Sequence, residues 1–421
     1  MRYAIVSKGL PIEQLKAEAI KAGAKDVTEA KLLNQVFCEL TESQAAELSK
    51  IPGLAVKPLK HVGPDVVVPV VEEQQEEVEN ELWNTFATVR SIFTPPLTGV
   101  GLTVAVVDSG IRKTHEALEG KVIHEENFSD SPTADDVFGH GTQVAFVAAG
   151  GTDFSEISGV APGALLFNIK VIGDDGDATE EEVVLGINRV CELVMEAYTQ
   201  GLLPTDPMWP NVLNLSLGSE DDGDPDSPLR VACRRAIREF GLDVVAAAGN
   251  YGPNMTTITC PGTDPDVITV GAIETLNEIK IWERSSRGPT REGLVKPDFV
   301  FWGVDVRSAS HLRDDGYVVK SGTSFSAPML SGLTGLLWET GRRVYGDAWY
   351  FRWIEARELA PYYCLKPEDA PAVKGNTYGY GLPAMATMAA RLYRGAPSQT
   401  LENMMLPFMM LIMIMAMLRA V

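Results

Sequence analysis

The sequence predicts an α/β protein: a doubly wound, mostly parallel sheet with helices on both faces, preceded by a small α+β unit. Three observations carry this. From Gly101 onward, short runs rich in Val, Ile and Leu alternate with helical segments, the pattern of a parallel sheet covered on both sides. Residues 179–198, TEEEVVLGINRVCELVMEAY, place apolar side chains at helical spacing. The 421 residues, 45% apolar and 22% charged, suffice for two or three domains with a large core.

The elements follow in order. In residues 1–64, YAIV reads as a strand and IEQLKAEAIKAG as a helix stopped by Gly. QVFCEL is a second strand, SQAAELSKI a second helix and GLAVKPL a third strand, which gives a βαββαβ-like unit. Residues 65–99 read as an acidic linker. There DVVVPVV is followed by EEQQEEVENE at 72–81, a solvated charge block in a flexible or helical spacer. The main domain spans 100–394. LTVAVVD (102–108) is a buried strand and HGTQVAFVAAG (140–150) a helix. ALLFNIKVI (164–172) is a strand, 179–198 the long helix and NVLNLSL (211–217) a strand. SPLRVACRRAIREFG (227–241) is a helix, and LDVVAAAG (242–249) and DVITVGAI (266–273) are strands. No internal repeat interrupts them. In such sheets function gathers at the carboxyl ends of the strands.

The last segment, 395–421, is a tail. Its residues 404–418 are uninterrupted apolar and hold seven of the fourteen Met. A spanning helix needs about 20 apolar residues, and Met adapts to many apolar surfaces. Three readings stay open: a short membrane anchor, contact with a hydrophobic partner or second copy, and packing on the protein's own surface.

Charge narrows the partners. The net charge is −21, from 36 basic and 57 acidic residues. This argues against nucleic acid, whose phosphates need a basic face, and favours attraction to basic substrates. The five cysteines, Cys38, Cys191, Cys233, Cys260 and Cys364, are scattered without a C-x-x-C pair. Neither a disulfide framework nor a zinc site is expected, and a reduced compartment is the natural one. MRYAIVSKGLPIEQLKAEAI carries no conventional signal peptide. The expected location is the cytoplasm, or a membrane surface reached through the tail.

Four positions carry chemistry together. Asp108 ends the strand LTVAVVD; alone it reads equally as a turn residue before Gly. His140, in FGHGT at a helix start, is the one histidine of five with glycine on both sides, which lets other groups approach closely. His115, in IRKTHEAL, reads as structural or surface. Ser324, in GTSFSAP, falls at a second helix start, where a plain capping role competes; Ser321 and Ser326 read as structural. Asn250 ends VVAAAG; it reads as a turn residue or as a carboxamide donor to a developing oxyanion. The order Asp, His, Ser is one of the chain orders of a Ser-His-Asp triad. The serine needs a base to become a nucleophile, histidine supplies it near neutral pH, and aspartate fixes the imidazole.

With DSG at Asp108, HGT at His140, AAAGN ending at Asn250 and GTSFSAP at Ser324, residues 100–394 resemble a subtilisin-like serine protease, a subtilase. SGVAPGALL and NLSLG match the stretches between. The resemblance implies an endopeptidase working through an acyl-enzyme, with Asp108, His140 and Ser324 as triad. Asn250 and the Ser324 backbone N–H would hold the oxyanion. It further implies substrate binding by Ser216, Leu217, Gly218, Ala248, Gly249, Asp174, Asp175 and Gly176, protein or peptide substrates, and no cofactor for catalysis. A structural calcium is left without a location. Residues 1–64 resemble the family's propeptide, an intramolecular chaperone and inhibitor that would begin at Met1. The departures are Gln143 after HGT, APMLSG after the serine and Tyr251 after the oxyanion asparagine; none touches the triad. A catalytically silent binding module and a membrane-attached processing protease are the alternatives.

Two acidic loops flank the expected channel, GDDGDATEEE (173–182) and SEDDGDPD (219–226). The second alternates Asp222, Asp224 and Asp226 but has Ser227 and Cys233 where a calcium loop needs Gly and Glu. Solvated surface is the bland reading. The sharper expectation is selection of basic residues upstream of the cut. It is suggested by Lys57, Lys60 and His61 in the segment that would fill the channel before maturation.

Overall fold

Strands β1 (Arg2–Ser7), β2 (Lys25–Ala30), β3 (Gln35–Glu39) and β4 (Leu54–Pro58) form an antiparallel sheet of order β2-β3-β1-β4. Helices α1 (Ile12–Lys21) and α2 (Glu42–Leu48) cover one face. Strand alternation decides what each face meets. Tyr3 and Ile5 pack with Leu15, Ala19, Ala45 and Leu48, whereas Ala4 and Val6 join a cluster shared with the rest of the chain. A capping box, Thr41 with Gln44, starts α2. The computed structural model describes residues 1–7, 9–64, 81–91, 93, 95–152, 157–274, 279–346, 363–384 and 388. The Met-rich run 404–418 and the acidic stretch 65–80 lie outside the described residues.

Strand β5 (His61–Pro64) leaves the small sheet. Helix α3 (Glu81–Ser91) falls in the stretch read from sequence as linker. Its Trp83 and Phe86 are buried in the main core, Trp83 edge-on to Phe146 and Phe86 edge-on to Trp302. Two aromatics three residues apart share a helix face, so this part is core rather than spacer.

The main domain then runs β6 (Thr103–Asp108), β7 (Val122–Asn127), α4 (His140–Ala149), β8 (Leu165–Lys170), β9 (Ala178–Thr179) and α5 (Glu180–Thr199). It continues through β10 (Val212–Leu215), β11 (Leu217–Gly218), α6 (Pro228–Phe240), β12 (Asp243–Ala247), β13 (Ile268–Ile273) and β14 (Phe299–Trp302). The hairpin β15 (Val306–Ala309) and β16 (Tyr317–Lys320), helix α7 (Thr323–Tyr345) and the short pair β17 (Cys364–Leu365) and β18 (Leu382–Pro383) complete it. Seven strands form one parallel sheet of order β14-β13-β12-β10-β6-β8-β7.

Along β6, Val104 and Val106 face the cluster holding α3, α4 and α7, while Ala105 and Val107 face α5 and α6. The chain starts at central β6, visits β7 and β8 on one side, then crosses to β10 and continues outward. The crevice at such a switch is the natural site of an open α/β sheet. Asp108 ends β6 and Ser216 follows β10, so both stand at its lips. Among the described residues, no helix is long and apolar enough to cross a membrane.

Candidate active site

Helix α4 reaches the crevice through glycine. Gly139, before His140, has φ 100°, a conformation that glycine adopts without strain. Gly141 admits no side chain: a Cβ there would lie 2.1 Å from the Gly110 carbonyl oxygen and 3.2 Å from Cβ of Asp108. The helix start therefore lies directly on the loop that follows β6. This brings Nδ1 of His140 to 2.8 Å from Oδ1 of Asp108, both side chains 1% exposed. Oδ1 also accepts from the Ser109 N–H at 2.7 Å. With Nδ1–H committed to the carboxylate, Nε2 is the basic nitrogen, and it has no hydrogen-bond partner among the described residues.

Ser324 is the second residue of α7, behind the cap residue Gly322. Its hydroxyl lies 3.3 Å from the Ser216 carbonyl, and its own carbonyl accepts from Ser216 Oγ at 2.8 Å. Asn214 Nδ2 donates to Ser216 Oγ, and Ser331 Oγ donates to Asn214 Oδ1. This chain of buried polar groups ties α7 to β10. Ser326 turns away, its hydroxyl on the Phe301 and Trp302 carbonyls, and Ser321 contacts Asp305. Of the three serines, only Ser324 meets the crevice.

Asn250 follows β12. Its Oδ1 accepts from the Thr323 N–H at 2.9 Å and the Thr323 hydroxyl at 3.1 Å. That fixes the amide plane with the Nδ2 donor on the opposite side. Thr323 Oγ1 also accepts from the Gly249 N–H at 3.1 Å. This threonine, which the sequence reading passed over, holds Asn250 against the start of α7. Gly218 and Gly249 both abut Thr259: a Cβ on either would lie 2.8 Å from a Thr259 side-chain atom. Ala248 is fully buried, its backbone bonded to Val270 and Thr259. Ser216, Leu217, Gly218, Ala248 and Gly249 thus lie together around Thr259 and the start of α7.

Two of these residues, Leu217 and Gly218, pair with β5. This strand lies antiparallel between β9 and β11, pairing His61 with Thr179, Val62 with Ala178, Gly63 with Gly218 and Pro64 with Leu217. Val62 is 1% exposed. Lys60 Nζ is 2.7 Å from Asp222, Lys57 pairs with Asp224, and His61 Nδ1 is 3.2 Å from Asp177. Burial is the largest single effect on Asp222 and Asp224 and raises their pKa, but the hydrogen bonds from Lys60 and Lys57, the backbone N–H bonds and the lysine charges together outweigh it, and both carboxyls titrate below their ordinary range. Glu180 accepts from the Lys60 N–H at 3.2 Å, and its pKa is raised by burial.

The first acidic loop divides its contacts between its own base and β5. Asp174 turns to buried Lys170 at 2.9 Å, Asp175 accepts from the Asp177 N–H, and Gly176 closes the turn on Gly173. The residues that meet β5 are instead Asp177, Ala178 and Thr179. The buried ammonium of Lys170, bonded also to the Ser109 and Asp135 carbonyls, draws Asp174 inward. Among the described residues, no group of three or more His, Cys, Asp or Glu is arranged to hold a metal ion. His115 is buried and structural, its ring nitrogens on the Gly316 carbonyl and the Ala117 N–H.

Comparison with known proteins adds a second line. The family model described as the subtilase family matches residues 99–352, more than half of the chain. The serine protease AprX of Bacillus subtilis is 33% identical over 264 residues, 57% of this chain and 58% of that protein. Subtilisin of a Bacillus species, strain TA39, is 28% identical over 322 residues, 71% of this chain and 72% of its own. The major intracellular serine protease of Bacillus subtilis is 28% identical over 283 residues, 64% of this chain and 79% of its own. The match thus spans less than two thirds of the first of these relatives.

Proposed function

The chain belongs to the subtilase family of subtilisin-like serine endopeptidases, and on that premise we propose that it hydrolyses peptide bonds with Ser324 as nucleophile and is held inactive by its own residues 1–64. One observation carries the reading: the buried 2.8 Å contact from His140 to Asp108, with the ring of Phe325, the residue after Ser324, centred 6.2 Å from the imidazole. His140 Nε2 takes the Ser324 hydroxyl proton as Oγ attacks the scissile carbonyl. Asp108 keeps the proton on Nδ1 and stabilises the imidazolium. The Asn250 Nδ2 and the Ser324 backbone N–H, at the positive end of α7, receive the oxyanion. His140 then protonates the leaving amine, and water resolves the acyl-enzyme by the same steps. No step calls for a metal or cofactor.

Inhibition follows from β5. A substrate strand in its register sets the next residue opposite Ser216, whose carbonyl faces the Ser324 hydroxyl. β5 therefore competes for the same channel. Counting upstream from that residue, His61, Lys60 and Lys57 are the fifth, sixth and ninth positions, which supports a preference for basic residues there. Residues 1–64 carry nine Lys and Arg against seven Asp and Glu, and the rest of the chain 27 against 50, so docking is attractive overall.

A fluorophosphonate probe tests the activity. Labelling after removal of the N-terminal residues, abolished in Ser324→Ala, is the expected result; no labelling of the processed protein would return it to a silent binding module. Paired peptides with Lys or Glu at the fifth and sixth upstream positions test the preference. Partly exposed ion pairs contribute about 0.2–1 kcal/mol each, so Lys peptides are expected to be cut several-fold faster, less so in high salt. Equal rates would remove the charge selection.

A further inference from the structure

One buried carboxylate at the site has no part in the chemistry above. Asp136 stands four residues before His140 and is 5% exposed. Both of its oxygens are fully occupied. Oδ1 accepts from the Ser109 hydroxyl at 2.9 Å and the Gly139 N–H at 2.6 Å. Oδ2 accepts from the Thr142 N–H at 2.8 Å and the Thr142 hydroxyl at 2.6 Å. Ser109 Oγ in turn accepts from the Gly141 N–H at 2.9 Å. We propose that Asp136 is a positioning residue for the reaction: it ties the residue after Asp108 to the residues on both sides of His140, and so fixes the Asp108–His140 contact.

The argument is geometric. The cap residue of α4 is Gly139, which has no side chain to satisfy the first N–H groups. Asp136 replaces that missing cap, taking the N–H of Gly139 and Thr142 directly and that of Gly141 through Ser109. A cap for the helix alone would need no link to the β6 loop. Here one oxygen of the same carboxylate reaches across to Ser109, whose N–H also lies on Asp108 Oδ1. The loop and the helix start therefore move as one body. Thr142 extends the tie, since its Oγ1 accepts from the Arg112 N–H at 2.9 Å, further along the β6 loop. Burial raises the Asp136 pKa against the lowering effect of these donors. The carboxylate form is the one that can accept all four bonds.

The inference rests on the triad reading for its effect on rate but not for its effect on structure, and two measurements keep these apart. In Asp136→Asn, the new amide nitrogen faces donors on one side, and the tie is broken there. The kcat for a peptide substrate is expected to fall about 10- to 100-fold with KM unchanged, the size of effect a misplaced reacting group produces. In the resting protein, the low-field proton resonance of the His140–Asp108 hydrogen bond is expected to shift or vanish. Ser109→Ala should do the same more weakly, and the double variant should lose less than the two single losses combined, because both act through one link. If Asp136→Asn does not fold, Ser109→Ala and Thr142→Val decide by the same readouts. A lowered melting temperature with kcat and resonance unchanged would make Asp136 a helix cap only and overturn the proposal. If the wild-type chain has no peptidase activity, the resonance still tests the tie.

Discussion

Replacing Glu181 by Gln in a chain whose Ser324 is already Ala should loosen residues 1–64 from the main domain while leaving both folded. Arg2 Nε and Nη2 donate to the two carboxylate oxygens of Glu181 at 2.5 Å each, with side chains 25% and 11% exposed. An exposed pair contributes about 0.2–1 kcal/mol, and breaking a fully buried one costs about 3–5 kcal/mol because the survivor is stranded. This pair lies between. Arg2 keeps Asp26 at 2.6 Å and Thr28 at 2.9 Å as partners within its own sheet, and Gln retains one acceptor oxygen. The loss is therefore about 1–2 kcal/mol, about 5- to 30-fold in the opening constant. Hydrogen exchange reads it directly. The Leu32 and Leu33 amides donate to Asn188 Oδ1, on α5, across the same interface. Both should exchange faster by that factor, while amides inside β6 and β10 keep their rates. Unchanged rates at Leu32 and Leu33 would refute the interface as the hold. Equal acceleration in β6 and β10 would show that the variant destabilises the whole protein instead.

Three further outcomes follow from the site. Asn250→Ala should lower kcat about 10²–10³-fold with little change in KM in steady-state kinetics, the magnitude known from loss of the oxyanion asparagine in subtilisin itself. Gly141→Ala should abolish phosphonate labelling and lower the melting temperature, because its Cβ would meet the Gly110 carbonyl at 2.1 Å and such overpacking costs about 1–3 kcal/mol. Docking should also weaken in acid. Asp222 and Asp224 titrate below their ordinary range while paired with Lys60 and Lys57. The open state therefore takes up protons first, and the stabilisation, present above about pH 4, is lost as pH falls through the lowered values. Glu180, whose pKa burial raises, works in the opposite sense. Leu32 and Leu33 exchange, corrected for intrinsic rates, should therefore rise below pH 4; a flat profile would mean that the two ion pairs contribute nothing.

What could be read from sequence depended on how strongly each segment declares its surroundings. Buried parallel strands such as Thr103–Asp108 and Leu165–Lys170 are apolar almost throughout, and their alternation with amphipathic helices gave the sheet and its helical cover. Val122–Asn127 escaped because VIHEEN is an edge strand, half-exposed and polar. Lys25–Ala30 escaped for the same reason, at the edge of the small sheet. Glu81–Ser91 was hidden by the acidic run before it, although Trp83 and Phe86 were a legible signal. Asp108, His140, Asn250 and Ser324 stood out through their glycine-rich neighbours, which the close approach of α4 and α7 to the strand ends requires. Thr323 and Asp136 did not stand out. Their roles lie in hydrogen bonds to distant backbone groups, and a threonine or aspartate near a helix start is usually only a cap. The sequence also does not show that Lys170 is buried beneath the first acidic loop, so it could not tell that Asp174 pairs with Lys170 while Asp177 meets His61 of β5.

Under the proposed inhibition by residues 1–64, the two ways in which they hold on have different strengths, and this would order the events of activation. The tail contacts are three ion pairs at partly exposed side chains, from Lys57 in β4, Lys60 and His61, about 0.2–1 kcal/mol each, with the pairing of the four-residue strand β5 and its one buried apolar side chain, Val62. The small sheet instead places Val6, Leu33 and Phe37 in one buried cluster with Ile187 and Val190 of α5 and Leu229 of α6. Gln35 Nε2 adds a 2.9 Å bond to the Pro228 carbonyl. Each such apolar side chain contributes about 1.5–3 kcal/mol when buried. Cutting the chain downstream of β5 removes the tether, and with it the high effective concentration that a tether gives, but removes none of these contacts. β5 stays joined to β4 and remains in the channel. Activity should therefore lag behind cleavage, with the lag set by departure of the small sheet rather than by the cut. The Glu181→Gln variant with Ser324 intact makes this measurable. Its cleavage, followed by mass, should proceed at the wild-type rate or faster, while the lag before peptide hydrolysis shortens by about the same 5- to 30-fold factor. Activity that rises in step with cleavage in both proteins would place the whole of the inhibition in the tail.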